Sequence, residues 1–270
     1  MGWNIGKSGE DGVWTGGENV VRDNLIFHFD PGDYWCAPKG PASVASTVKE
    51  LGLGDTATVN SSGNDVGDLW TEAGGAPCFQ FNGTSEYINF PTIDVSKFIT
   101  GGATTTGAIT SCVWFRTSHM ENPDDGGLVF IENYTYGVFI SNGDIQQYAT
   151  DGSGTSNEYT MLDVTAYNDD NWHFLVAMMN NTSSTIGDTP AGACSIYVDD
   201  MVAKAASSTF HSSFYFRTTD ADLNIGLLNS NTWYYEGEIG PVMMYSDYCL
   251  DEDERMHNYN FYSHRYGRTS

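Results

Sequence analysis

The stretch Asp222–Tyr262 reads DLNIGLLNSNTWYYEGEIGPVMMYSDYCLDEDERMHNYNFY. Leu223, Ile225 and Leu227 alternate with Asn224 and Gly226, the period-2 pattern of a strand with one buried face. A polar turn follows, then an aromatic run through Trp233, Tyr234 and Tyr235. Gly237-Glu238-Ile239-Gly240 leads into a second strand, Val242–Tyr245. A short acidic-headed helix closes the stretch. Asp251 can cap its N-terminus, and Glu254, three residues on, completes a capping box. Glu252 and Asp253 put negative charge where the helix dipole favours it, and Gly267 can end the helix.

Outward from this stretch the chain keeps the same rhythm. Leu25, Phe27 and Phe29 alternate with Ile26, His28 and Asp30. Trp172–Met179 is apolar on both faces except at His173, which reads as a central strand. Further strands are expected at Cys78–Phe81, Tyr87–Phe90, Ile109–Arg116, Leu128–Glu132, Gly137–Ser141, Ile145–Ala149 and Cys194–Val198. Turn signals such as Asn82-Gly83, Asn142-Gly143-Asp144 and Asp151-Gly152 separate them at the spacing of an all-β domain. Gly32–Gly75 reads as a loop-rich insertion with a helical turn near Val44–Leu51.

The order of the Asp222–Tyr262 stretch resembles the C-terminal signature of laminin-G-like domains, within the concanavalin A-like lectin/glucanase superfamily. Upstream segments resemble that family in the right sequence. Asn24–Asp30 (NLIFHFD) is similar to its first strand, Phe79–Phe90 (FQFNGTSEYINF) to its aromatic-Asp-Gly hairpin, and Ala108–Thr117 (AITSCVWFRT) to a central strand. Asn171–Met179 (NWHFLVAMM) and Ser195–Asp200 (SIYVDD) resemble two more. Each string alone is weak; in series they are specific for the fold, not for a ligand. The resemblance implies an antiparallel β-sandwich jelly roll with one short C-terminal helix, built on residues 23–270. It also implies use in holding saccharides or other proteins, with only some branches enzymatic.

Residues 1–22 lie outside that pattern. Six glycines surround Trp3 and Trp14, and aromatic residues are unusual for a disordered tail. Two readings stand: an arm that docks on a neighbouring subunit through its Trp side chains, or a segment folded back on its own domain.

Composition narrows the function. The net charge of −24 comes from scarce Lys and Arg, 11 in 270 residues, while only 17% of residues are charged. That balance argues against nucleic acid and anionic membranes. No stretch approaches the roughly 20 apolar residues that span a bilayer, and Met1–Gly12 has no apolar run of the kind a signal peptide needs. Cys36, Cys78, Cys112, Cys194 and Cys249 are odd in number and lack metal spacing, which favours free thiols in a reducing compartment over disulfides.

Candidate chemistry is sparse. Glucanases of the resembled superfamily carry carboxylates alternating on one strand, and the nearest string here is Glu236-Gly237-Glu238. Gly240 stands where a third acid would continue the alternation, so no acid/nucleophile pair is expected, with at least one carboxylate turned away from any groove. No Gly-x-Ser-x-Gly is present, and His173 reads as structural. Many relatives hold calcium at the sandwich rim, which makes Asp124, Asp125, Asp169 and Asp170 candidate ligands; Asp is equally at home in the turns these pairs occupy. Aromatic residues make up 14% of the chain. Tyr134, Tyr136, Trp233 and Tyr235, with Asn229 and Asn231, are the candidate saccharide contacts; packing of the core or a subunit interface is the competing reading.

Tailed phages carry lectin-like domains whose chains open with a short arm and a strand similar to Asn24–Asp30. The resemblance implies a non-enzymatic virion structural protein, on the capsid surface or the tail, assembled in the host cytoplasm. Its partners would be other virion proteins, copies of itself and host-surface glycans. The alternative is a carbohydrate-binding module of a cellular bacterial protein.

Overall fold

The computed structural model describes residues 19–33, 35–37, 47–52, 54–61, 63, 66–93, 107–119, 126–132, 136–150, 156–182, 185–189, 193–200, 202–207, 221–228 and 233–268. The strands are β1 (Leu25–Phe29), β2 (Thr47–Lys49), β3 (Thr56–Asn60), β4 (Trp70–Ala73), β5 (Ala76–Asn82), β6 (Tyr87–Ile93), β7 (Ala108–Arg116), β8 (Gly126–Ile131) and β9 (Tyr136–Ser141). They continue as β10 (Asp144–Thr150), β11 (Ser156–Asp163), β12 (His173–Asn180), β13 (Ala193–Val198), β14 (Ala203–Ser207), β15 (Ala221–Ile225), β16 (Leu227–Leu228), β17 (Trp233–Tyr234) and β18 (Glu236–Ser246). A single helical turn, α1 (Val66–Leu69), precedes β4, and the C-terminal helix α2 spans Glu252–Ser263.

Two eight-stranded antiparallel sheets face each other. The front sheet runs β14-β13-β12-β7-β18-β5-β4, with β1 also paired to β18; the back sheet runs β11-β10-β9-β8-β15-β6-β3-β2. Phe27, Phe29, Phe79, Phe81, Val113, Phe115, Leu175, Ile239 and Met244 from the front meet Ile88, Phe90, Val129, Ile131, Val138, Leu223 and Ile225 from the back. This is the jelly-roll sandwich expected from the alternating strands, and its interior is the main core.

β7 and β12 are buried on both faces because the front sheet has a second cover. Cys112, Trp114, Phe174, Val176, Met178, Met243 and Tyr245 point outward and pack under α2 and the segment after it. Trp114 stacks on Tyr259 at 5.6 Å and on Tyr266 at 4.7 Å. The capping box is formed as expected: Asp251 accepts from the Glu254 amide, and Glu254 accepts from the Asp251 amide. Residues 19–22 join the same layer, since the Val21 amide bonds Asn258 and Tyr245 bonds the Val21 carbonyl. Trp3 and Trp14 lie outside the described residues.

β18 carries the key irregularity. Ile239 pairs Phe115 and Val242 pairs Val113, so Gly240 and Pro241 together oppose Trp114. A bulge of this kind is where a proline can sit in a central strand, because no ladder bond is asked of its nitrogen. Glycine is required beside it: a Cβ on Gly240 would lie 2.6 Å from the Tyr266 hydroxyl. Tyr266 therefore closes over the bulge, donating to the Pro77 carbonyl at 3.0 Å.

The insertion differs from the expectation. Instead of a helical turn near Val44–Leu51, Thr47–Lys49 and Thr56–Asn60 form the edge hairpin β2–β3 on the back sheet. Their short Thr-rich sequences alternate, and Val48, Ala57 and Val59 enter the core. Residues 44–46 are outside the described residues. Strands β11 and β14 were also not among those expected.

Candidate functional site

The layer formed by α2 stops at Gly240, and among the described residues no element covers the outer face of the front sheet beyond it. Register decides what lies there. Glu238 pairs Gln80 on one side and Arg116 on the other, and Glu236 pairs Asn82. Ile239 points into the sandwich, so Glu236 and Glu238 both point out of it. The result is a depression of about 400 Å³ lined by Asp68, Gln80, Asn82, Glu86, His119 and Glu238, with Glu236, Asp170 and the Thr117–Ser118 turn completing its wall.

Its lining is polar and partly fixed. Arg116 holds two of the lining carboxylates, with one guanidinium nitrogen 2.8 Å from Asp170 and another 3.4 Å from Glu238. Its Nε also donates to the Asp170 carbonyl at 2.8 Å. Burial pushes the Glu238 carboxyl up; Arg116 pulls it back only in part, and Asp170 pushes the same way as burial. Burial also raises Glu86. His119 lies 3.9 Å from Glu236, and the Thr117 hydroxyl donates to the Glu236 carbonyl at 2.8 Å. Asn82 accepts from the amides of Thr84 and Ser85, which shapes the adjoining turn. Asp68 accepts from Ser61 and the Gly63 amide. Gln80 is exposed and lines the opening.

The expectation that one of Glu236 and Glu238 turns away from any groove is therefore corrected. Two positions apart on one strand, with the intervening Gly237 on the opposite face, they line the same depression.

The sequence-predicted contacts separate. Trp233 is 40% exposed at the tip of the β16–β17 ribbon, available as a stacking face. Tyr235 is not. It precedes Glu236, so alternation drives its ring inward against Phe81, and its hydroxyl bonds the Arg116 carbonyl at 2.9 Å. Tyr136 is also fully buried, its hydroxyl accepting from Gln147 at 3.2 Å. Both are core residues, which corrects their assignment as saccharide contacts. Asn229, Asn231 and Tyr134 lie outside the described residues.

Of the calcium candidates, Asp169 and Asp170 meet cations and amides. Burial acts upward on Asp169, but bonds from Asn171 and His173 outweigh it and hold the carboxyl down at about 2. His173 bridges Asp169 at 3.0 Å and Asp199 at 2.8 Å, the structural role expected of it. Asp170 is paired to Arg116. Among the described residues no group of three or more His, Cys, Asp or Glu could hold a metal ion. Asp124 and Asp125 lie outside the described residues. Also among the described residues, no helix is long and apolar enough to cross a membrane.

Comparison with known proteins agrees with this architecture. Residues 82–254 match the laminin G model described as "Concanavalin A-like lectin/glucanases superfamily". No curated protein sequence matches significantly. Among solved structures, the type G botulinum neurotoxin receptor-binding domain is similar with a TM-score of 0.60 at 14% identity, covering 91% of this chain and 54% of that one. The receptor-binding domain of botulinum neurotoxin D gives 0.61 at 11% identity, covering 88% and 53%. This chain thus spans about half the length of those domains, and the likeness is one of fold.

Proposed function

This chain belongs to the concanavalin A-like lectin/glucanases superfamily, and from that premise we propose that it is a non-enzymatic binding domain whose outer depression holds a saccharide. The observation that carries the reading is the acceptor-rich concavity itself, where Glu236, Glu238, Glu86 and Gln80 face one opening. Saccharide hydroxyls are donors, and clustered carboxylate and amide oxygens are their natural acceptors. Its volume sits at the small end of ligand pockets, which run roughly 300–1,000 Å³. The named function of the neurotoxin domains of like fold, receptor binding, supports a recognition role. The non-enzymatic part is supported by Arg116, which occupies an oxygen of Glu238 that a general acid would have to offer to the scissile bond. A glycan array read with the parent protein and with Gln80→Ala tests the reading. Glycan signal that falls in the variant at unchanged melting temperature is expected; no glycan retained by the parent overturns it.

The setting we propose is a virion structural protein of a tailed phage, on the capsid surface or the tail. It would be assembled in the host cytoplasm, among other virion proteins and copies of itself, and would meet host-surface glycans. Five buried, unbridged cysteines support folding in a reducing compartment, and a charge of −24 disfavours nucleic acid as partner. A carbohydrate-binding module of a cellular bacterial protein is the second reading, favoured by the same depression. Stoichiometric co-purification of the chain with intact particles separates the two.

A further inference from the structure

We infer that the C-terminal layer is an acid-released cover: protonation at its seam with β1 lifts α2 off the front sheet while the sandwich beneath stays folded. The two packed layers differ in what holds them. Between the sheets aliphatic and aromatic side chains meet, and a proton does not touch those contacts. The outer layer stacks rings over Trp114, but polar pairs fasten its edges. Arg255 of α2 grips Asp188 with two bonds of 2.8 and 2.9 Å. Arg265, just past the helix, is 2.6 Å from Asp30, just past β1. Arg268 reaches Asp199 at 3.3 Å. Tyr262 of α2 meets His28 of β1, hydroxyl to Nε2 at 2.7 Å, with the two rings edge to face.

The surroundings of His28 decide what a proton does at this seam. Asp30, from the end of its own strand, favours a charged ring, but Arg265 already holds that carboxylate. Arg22, before β1, and Arg265, beyond α2, are guanidiniums that oppose a third positive charge. α2 itself contributes the neutral Tyr262 hydroxyl. Glu50, from the turn of the β2–β3 hairpin, is spent on backbone, accepting from the amides of His28, Gly52 and Asp55. Burial is the largest influence and disfavours the charged ring, so the closed layer holds His28 neutral. Lifting Tyr262 and Arg265 away lets water reach the imidazole, which then takes its proton near the ordinary value. Acid therefore favours the open layer, and the preference grows as pH falls from about 6.5 to about 4. Opening exposes the apolar outer face of the front sheet, Trp114 included.

Amide hydrogen exchange of the full chain at pH 7 and pH 4, corrected for the intrinsic pH dependence of the exchange reaction, tests this. Protection of the α2 amides is expected to fall about a hundredfold between the two, while β7 and β12 keep theirs. In His28→Gln the loss over α2 should be much smaller. Equal loss over α2 in that variant and the parent overturns the inference. So does simultaneous loss over α2, β7 and β12, which would mean that the whole domain opens at once. The parent alone gives an independent reading. Followed by NMR, its His28 imidazole should gain a proton over the same pH range in which α2 opens. A ring that titrates near 6.5 with α2 still protected overturns the cover, whether or not the variant folds.

Discussion

Arg116 holds Glu238 across neighbouring strands, its guanidinium 3.4 Å from the carboxylate, while the same side chain clamps Asp170 at 2.8 Å. The pair ties the sheet face to the turn that precedes β12. The Glu238 side chain is only 12% exposed, so stranding its charge is costly. Arg116→Met should lower stability at neutral pH by about 1–3 kcal/mol and push the Glu238 carboxyl further up. Chemical denaturation of the single variants and of Arg116→Met, Glu238→Gln together checks it. The double variant should recover part of the loss; additive losses would mean the two residues do not interact.

Catalysis is predicted to be absent despite two glutamates in one concavity. Retaining glycosidases place their carboxyls about 5–5.5 Å apart, both free to face the substrate. Here one is held by Arg116. Incubation with β-glucans should release no reducing sugar. Release that disappears in Glu238→Gln would show an enzyme.

His28 gives the fold a pH dependence. Burial depresses its imidazole to about 4, and its Nε2 lies 2.7 Å from the Tyr262 hydroxyl. The unfolded chain titrates near 6.5. The unfolded state therefore binds the proton first, and stability should fall as pH drops from about 6.5 towards 4. Melting temperature measured across that window should decline less in His28→Gln than in the parent. Parallel curves would remove His28 as the cause.

Trp233→Ala separates surface recognition from packing. With 40% of the residue exposed on a two-stranded ribbon, truncation should shift the melting temperature little. If the ribbon tip touches ligand, binding to host cells or arrayed glycans should weaken severalfold. A large stability loss with unchanged binding would make Trp233 a packing residue.

Deleting Met1–Gly17 should leave the sandwich folded, because both sheets and the main core are built from residues downstream of Asn19. On the virion reading the truncated chain no longer joins particles. Normal incorporation, read by gel quantitation of purified particles, would refute a docking role for Trp3 and Trp14.

Most strands were legible because their apolar residues alternate or run unbroken, as in β1, β7 and β12. The C-terminal helix was legible because both halves of its capping box are local. The insertion was not, since three-residue and five-residue strands rich in Thr carry too little periodicity to tell from loop. The depression was illegible for a different reason. Gln80, Arg116 and Glu238 come from three strands that only pairing register brings side by side. Sequence proximity to a loop also misled for Tyr235, which shares a turn with Trp233 yet faces the opposite way from Glu236.

The segment at Asn19–Arg22 is fastened to α2 through Asn258 and His257 and to β18 through Tyr245, and α2 is in turn stacked on Trp114. Tension applied at Asn19 therefore loads the helix and the front sheet at one place. Such tension would strip the rings of Tyr259 and Tyr266 from the front sheet and uncover Trp114. Trp114 fluorescence under stretch would report the moment that cover lifts.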